Sequence, residues 1–560
     1  MKKQLFILIF YLFVQIFETA SANSSIYVIK FTDKNNSPFN INLPLEFLSQ
    51  RAIDRRVNQG IALSIEDFPV NESYVNQIEA LGVQILNRSR WLNAVSVYCT
   101  DSLVIQNIQS LAFVQSVEAV KRPSPSITPI KFESDNNFTA SSKFKVKNND
   151  SEYRYTPDYG NSFGQVSMLG GDLLHFAGFM GNGKVIAVID AGFLIADLCD
   201  TFDSLFINNQ ILGTWDFVSG DANVYDDHYH GTYVLSTIAG NSPGELIGTA
   251  PKAKFWLLRS EDAPTEYIVE EFNWVCAAEF ADSVGADIIN SSLGYTTFDN
   301  PLQNHTYADL DGATAMASIG AATAASKGIV VCNSAGNNGN DAWGRIAVPA
   351  DADNILTVGA VDSLEIRADF SSRGYSIDGR IKPDVAAQGV HTVGQHQPGI
   401  FVVGNGTSFS SPLIAGMCAS FWEAVPNLTA AEVIQKVKES CDQYSNPDSL
   451  KGYGIPNFAQ AYFLVTGDNI SYPPSSKIDF VGPNPFNDFI NVRYYAADTQ
   501  HIEIRIFDLM GIEVAYKKQY CEPKSFITVH FPMPNRLAAG LYIMEIKSKY
   551  EKRVFRIVRD

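Results

Sequence analysis

The chain has 560 residues, of which 46% are hydrophobic and 18% charged, and a formal net charge of −18. That length accommodates about two to four domains and a sizeable core, and the balance is that of ordinary globular protein. The acidity argues against general nucleic-acid binding and for solubility outside a cell, and it names no substrate.

Lys2-Lys3 leads into an apolar run over residues 5–17 and the small residues Ala20-Ser21-Ala22. A basic start, an apolar middle and a small-x-small exit define an export signal over residues 1–22, with cleavage expected after Ala22. The run is shorter than the ~20 residues of a membrane span. Residues 23–122 carry strand patterns at 26–31, 91–98 and 114–120 and helical patterns at 47–57 and 73–81, the makings of a compact α/β unit. Residues 123–155 turn polar and rich in Ser, Asn, Pro and Lys, a linker suited to proteolytic opening.

Residues 156–466 alternate strand and helix. Val185-Ile186-Ala187-Val188-Ile189-Asp190 is a β-branched run closed by an acid, as expected of a buried parallel strand with Asp190 at its C-terminal edge. His230-Gly231-Thr232 opens a helical pattern, and further strands are expected at 254–259, 288–293, 328–333 and 355–361, with helices at 267–284 and 313–327. Such βαβ alternation implies an α/β domain with a mostly parallel sheet and helices on both faces. In Gly406-Thr407-Ser408-Phe409-Ser410-Ser411-Pro412 a small-residue loop runs into an apolar helix and sets one hydroxyl at its N-terminus, where unpaired N–H groups favour developing negative charge. Another helix is expected at 431–440. Residues 467–476 form a second linker, with Pro473-Pro474-Ser475-Ser476, and 477–560 read as short strands of a small β-sandwich.

An acid, a histidine and a serine in those contexts supply what a serine nucleophile needs: a base to take its proton and a carboxylate to orient the base. The chain order Asp190, His230, Ser408 is that of subtilisin. Asn337, in Ser334-Ala335-Gly336-Asn337, follows a buried-strand pattern and offers a side-chain N–H where an oxyanion would form. On these motifs residues 156–466 resemble a subtilisin-family (subtilase) serine protease domain. The resemblance implies a catalytic role for Asp190, His230 and Ser408 and an oxyanion role for Asn337. It further implies that Ser292-Leu293-Gly294 pairs with the substrate backbone and that Ser334-Ala335-Gly336 walls the primary specificity pocket. Tyr233 departs from the family pattern, in which many relatives carry a second histidine, and altered packing rather than lost activity is expected there.

By the same resemblance residues 23–122 look like an inhibitory, folding-assisting propeptide. Asn484-Pro485, residues 506–511 and 537–542 and the basic C-terminus resemble a type IX secretion sorting domain. The implied partners are protein or peptide substrates, the chain's own propeptide and the type IX secretion machinery, with no nucleic acid, for a protein secreted or held at the cell surface. The chemistry requires no cofactor. Acidic loops such as 221–227 allow a structural calcium, which subtilases often bind, but no complete ligand set stands out. Seven scattered cysteines, an odd number without metal-ligand spacing, read as buried free thiols, with one bridge left open. Glycans at Asn290 or Asn405 would obstruct the cleft, which favours bacterial export. The resulting expectation is a broad endopeptidase made as a self-inhibited precursor. A narrow processing protease of exported proteins and a non-catalytic binding protein on the same fold are the alternatives.

Overall fold

The computed structural model describes residues 25–121, 157–471, 476–482, 486, 489–521, 525–532 and 537–559. The expected export signal and the linker 123–155 lie outside them. In the N-terminal unit, β1 (Ser25–Phe31), β2 (Gln84–Ser89), β3 (Ala94–Cys99) and β4 (Val114–Lys121) form an antiparallel sheet of order β2-β3-β1-β4. Of its helices, α1 (Gln50–Asn58) is capped by Ser49, whose hydroxyl accepts from the Ala52 amide. Helices α2 (Glu72–Glu79) and α3 (Ser102–Gln109) cover one sheet face, with Val75, Ile78, Ile105 and Ile108 packed on Ile29, Phe31, Val95 and Val97. The sequence reading missed β2, whose residues do not alternate cleanly between buried and exposed, and α3.

The central unit is built on a parallel sheet of seven strands: β5 (Val185–Asp190), β6 (Ile211–Asp216), β7 (Lys254–Arg259), β8 (Ile288–Ser291), β9 (Val330–Ser334), β10 (Leu356–Val361) and β11 (Val385–Gln388). Their spatial order is β11-β10-β9-β8-β5-β7-β6. Every residue of β5 is buried, and its side chains divide by parity. Ile186 and Val188 enter one apolar core with α4 (His230–Ala239), α7 (Thr407–Ala424) and α8 (Ala430–Glu439). Val185, Ala187 and Ile189 enter the other, with α5 (Val269–Val284) and α6 (Met316–Ser326). Each of these valine and isoleucine side chains contributes about 1.5–3 kcal/mol by leaving water, so a central strand buried on both faces is fixed in register. From β5 the chain passes to the edge strand β6, returns inward through β7 and crosses to β8 on the other side of β5, and in open α/β sheets it is at such a switch point, beyond the strands' C-terminal ends, that sites form.

An antiparallel hairpin, β12 (Thr392–Gln397) with β13 (Ile400–Gly404), precedes α7 and was not anticipated, although Pro398-Gly399 supplies a turn signal. Helix α9 (Phe458–Thr466) closes the unit at Gly467, which takes the left-handed conformation. All seven cysteines are buried free thiols. The C-terminal unit is a sandwich of two antiparallel sheets. One contains β14 (Lys477–Gly482), β15 (Phe489–Ala496) and β18 (Ser525–Pro532). The other contains β16 (Gln500–Phe507), β17 (Glu513–Cys521), β19 (Gly540–Lys547) and β20 (Lys552–Arg559). Ile490, Val492 and Val529 from the first pack on Ile504, Ile506, Met544 and Ile546 from the second.

The N-terminal unit docks on the α5–α6 face of the central sheet, largely through buried charge. Asp282, on α5 and fully buried, receives Arg55, Arg56 (2.9 Å) and Arg90. Asp67 in turn receives Arg56 (3.0 Å) and Lys327 (3.1 Å). Glu279 accepts from the Ser89 hydroxyl and from the amides of Arg90 (2.7 Å) and Trp91 (3.0 Å). Burial pushes the Glu279 carboxyl above its ordinary range, against the pull of Arg90 and these hydrogen bonds. Breaking a buried cluster of this kind by removing one charge costs about 3–5 kcal/mol. Asp282→Asn is therefore expected to loosen the N-terminal unit by that amount. In hydrogen exchange on the full chain, β1 and β3 should lose protection while β5 and β8 keep theirs; unchanged protection of β1 would show that Asp282 does not hold the unit.

Candidate active site

Asp190 ends β5, and His230 begins α4 forty residues later. Two glycines let these ends approach. The Gly231 amide donates to the Gly192 carbonyl at 3.0 Å, and a Cβ on Gly231 would lie 2.3 Å from that oxygen. Gly192 has φ +140°, and a Cβ there would lie 2.7 Å from the His228 amide nitrogen. The resulting contact is a 2.7 Å hydrogen bond from His230 Nδ1 to Asp190 Oδ1, which also accepts from the Ala191 amide at 2.8 Å. Asp190 is fully buried and His230 only 7% exposed. A proton held on Nδ1 by the carboxylate leaves Nε2 with its lone pair, the form in which an imidazole acts as a base.

Ser408 is the second residue of α7, two residues after Gly406 at φ +153°. Its hydroxyl donates to the Ser292 carbonyl at 3.3 Å, and its own carbonyl accepts from the Ser292 hydroxyl at 2.8 Å. The neighbouring Phe409 ring lies 6.0 Å from the His230 ring, centroid to centroid, which brings the helix that bears Ser408 against the Asp190–His230 pair. Asn337 Oδ1 accepts from both the Thr407 amide and the Thr407 hydroxyl, each at 2.9 Å. Its amide nitrogen is thereby turned toward Gly406, where a Cβ would lie 3.5 Å from it. Thr407 also accepts from the Gly336 amide at 3.2 Å. The sequence reading quoted Thr407 without giving it a task, and its side chain orients Asn337.

The other expected residues are brought to the same edge. The Leu293 carbonyl accepts from Asn333 Nδ2 (3.3 Å) and the Ser334 hydroxyl (3.4 Å), which sets the 292–294 segment beside the 334–336 segment. Between them stands Ala347, a residue the sequence reading did not identify. A Cβ on Gly294 would meet the Ala347 methyl at 2.9 Å and one on Gly336 would meet it at 3.3 Å. Asn290 is fully buried and binds the hydroxyls of Ser292 (3.2 Å) and Ser411 (3.1 Å), so its sequon is not a surface acceptor. In the acidic loop 221–227, Asp221 and Asp226 accept from the amide and the side chain of Asn223, and Asp227 faces a guanidinium. Arg259 pairs with Asp216 (2.7 Å) and Asp227 (2.6 Å), and among the described residues no three His, Cys, Asp or Glu side chains group as for a metal.

Tyr233 fills the space behind the site. Its ring is 4.2 Å from that of Phe409, and its hydroxyl donates to the Thr392 carbonyl at 2.6 Å. The β12–β13 hairpin makes room with two glycines. A Cβ on Gly394 would lie 1.8 Å from the Tyr233 ring and one on Gly404 would lie 2.7 Å from it.

A parallel sheet covered on both faces, with an acid–imidazole pair and a helix-borne serine at one edge, defines the class of serine hydrolases. Comparison with known proteins narrows it. Residues 181–454 match the subtilase family, 26–136 the Bacteroidota peptidase S8 propeptide domain and 481–559 a secretion-system C-terminal sorting domain. Subtilisin E of Bacillus subtilis is 31% identical over 315 residues, covering 55% of this chain and 72% of that protein. The subtilisin of Bacillus pumilus is 31% identical over 301 residues, covering 53% and 97%. The chain belongs to the subtilase family. It is a subtilisin-like serine endopeptidase with an N-terminal propeptide and a C-terminal type IX sorting domain, secreted or held at the cell surface.

The Tyr233 packing is testable. Gly394→Ala should destabilise the protein by about 1–3 kcal/mol through overpacking. In urea melts, run on a Ser408→Ala background to suppress self-digestion, that cost should vanish when Tyr233→Ala is also present. An equal cost in both backgrounds would place the clash elsewhere.

Proposed function

We propose that the chain is a secreted endopeptidase that cuts peptide bonds with Ser408 as nucleophile, His230 as general base and Asp190 as the group that orients and stabilises the imidazolium. The observation that carries this reading is the buried 2.7 Å Asp190–His230 hydrogen bond, coupled through Phe409 to the helix that bears Ser408. Ser408 attacks the carbonyl as its proton passes to His230. The tetrahedral oxyanion is held by Asn337 Nδ2 and the Ser408 amide, the latter at a helix N-terminus. The imidazolium then protonates the leaving amine. A water activated by the same imidazole hydrolyses the acyl-enzyme. Ser292-Leu293-Gly294 receives the substrate as an added strand, which gives affinity through main-chain bonds. Ser334-Ala335-Gly336 forms the opposite wall of the pocket for the side chain before the cut bond. The propeptide keeps the precursor inactive until the linker is cut. The sorting domain engages the type IX machinery, and no cofactor takes part in the chemistry.

Ser408→Ala should abolish both propeptide release and casein hydrolysis, removal of the nucleophile in such a site costing on the order of 10⁶ in turnover. Asn337→Leu should leave a folded enzyme slower by about 10²–10³. A wild type that is processed and folded yet as inert as Ser408→Ala would end the protease reading.

The Ala347 methyl narrows the pocket between its two walls, and hydrogen bonds hold it there, from the Ala347 amide to the Ala335 carbonyl (3.0 Å) and between Val348 and Tyr295 (2.7 and 3.1 Å). Small side chains before the cut bond are therefore favoured. Ala347→Gly should raise kcat/KM for phenylalanine relative to alanine at that position by about tenfold or more, measured with paired fluorogenic peptides; an unchanged ratio would mean that the methyl is not the floor.

A further inference from the structure

The last described residue of the propeptide sits in a site built for an ammonium group. Lys121 Nζ donates to Asp262 Oδ2 at 2.6 Å and to the Thr265 hydroxyl at 3.1 Å, and it lies 5.4 Å from the centroid of the Tyr267 ring. Carboxylate, hydroxyl and aromatic face together recognise a cation better than any of them alone. The site is preorganised. The Thr265 hydroxyl donates to Asp262 Oδ2 at 2.7 Å, the Thr265 amide closes a turn onto the Asp262 carbonyl at 2.8 Å, and the Asp262 amide is held by Glu270 on α5 at 2.9 Å. Burial pushes the Asp262 carboxyl up, but the hydrogen bonds from Lys121 and Thr265 and the charges of Lys121 and Arg259 bring it below its ordinary range.

The turn also borders the cleft. Two residues before Asp262, the Ser260 amide donates to the Asp190 carbonyl at 3.1 Å. The intervening Glu261 accepts from the hydroxyl of Tyr295, next to Gly294, at 2.6 Å. The propeptide chain enters between these loops, with Gln303 Nε2 donating to the carbonyls of Ala119 and Val120, each at 3.2 Å. Val120 is buried in the same apolar core as Tyr267, Leu293 and Tyr295.

We infer that this site outlasts the propeptide, and that in the mature enzyme Asp262, Thr265 and Tyr267 select a lysine or arginine side chain of the substrate, upstream of the bond that is cut. The inference rests on the protease reading above and adds a determinant that the catalytic residues do not supply. A segment that inhibits by lying along the substrate groove meets the groups a substrate meets, and the chain from Lys121 leads toward the linker in which maturation cuts.

The test uses mature enzyme released from the full chain. Fluorogenic peptides carry Lys, Arg, Glu or the uncharged Gln at each position upstream of one cut bond, and wild-type hydrolysis of casein reports the protease reading separately. At one position the Lys and Arg peptides should be cleaved with at least tenfold higher kcat/KM than the Gln peptide. That ratio should fall below twofold in Asp262→Asn, turn toward Glu in Asp262→Lys and, in the wild type, shrink as salt is raised. Casein digestion with Lys and Gln peptides cleaved alike at every position, or a Lys preference that survives Asp262→Asn, overturns the inference alone. A wild type inert on casein and on every peptide overturns the protease reading and this inference with it.

Discussion

The site depends on a place where side chains are missing. β5 delivers Asp190 to the sheet edge, and α4 can begin within hydrogen-bond reach of it only because neither Gly192 nor Gly231 carries a Cβ. The Gly231 amide and Gly192 carbonyl occupy, at 3.0 Å, the space a methyl would need. A Cβ at Gly231 would also lie 3.0 Å from that of Asp190 itself. This backbone contact brings two elements from different parts of the chain into one hydrogen-bonded carboxylate–imidazole pair, and it does so inside the core, where that bond is screened little by solvent. The rest is placed relative to it: Phe409 lies tilted against His230, Thr407 turns Asn337, and Ser292 clasps the Ser408 backbone.

The two faces of the sheet divide the labour. One core carries the helices that begin with His230 and Thr407; the other carries α5, α6 and the docked propeptide. The propeptide therefore grips the central unit on the face away from the helices that bear His230 and Ser408, and among the described residues it is the end of β4 that approaches the cleft. Its grip is concentrated on Asp282, Asp67 and Glu279, fully or largely buried and each with cationic or hydrogen-bonding partners across the interface. Buried ion clusters add little net affinity over well-packed apolar groups, but mispairing them is costly, so they fix register.

What was legible in the sequence was local. A β-branched run ending in Asp190, the helix openings at His230 and Ser408, and the loop at Asn337 each declare their backbone within a few residues, and βαβ alternation supplies a parallel sheet. What was not legible depends on partners far along the chain. The β12–β13 hairpin exists to meet Tyr233 about 160 residues earlier, as its Thr392 bond shows. Tyr233 was expected to change packing, and the compensation lies in Gly394 and Gly404, which no local pattern connects to it. Ala347 is invisible for the same reason: only the fold sets its methyl between Gly294 and Gly336. β2 escaped because its mixed burial, with Asn87 reaching the central unit, gives no two-residue period.

The loop from Ser260 to Tyr267 ties these levels together. It leaves the sheet beside Asp190, binds the Asp190 carbonyl through Ser260, and ends against the core that the propeptide covers. Propeptide contacts therefore fall into two physically different sets. Those on Asp282 and Glu279 are buried and remote from the cleft, so they govern how firmly the propeptide is held. Those on Asp262 lie at the cleft and are about a quarter exposed, 28% for Lys121 and 26% for Asp262, so salt weakens them. Holding and occupancy thus rest on different residues: the remote set is buried and shielded from salt, whereas the pair at the cleft is partly open to water.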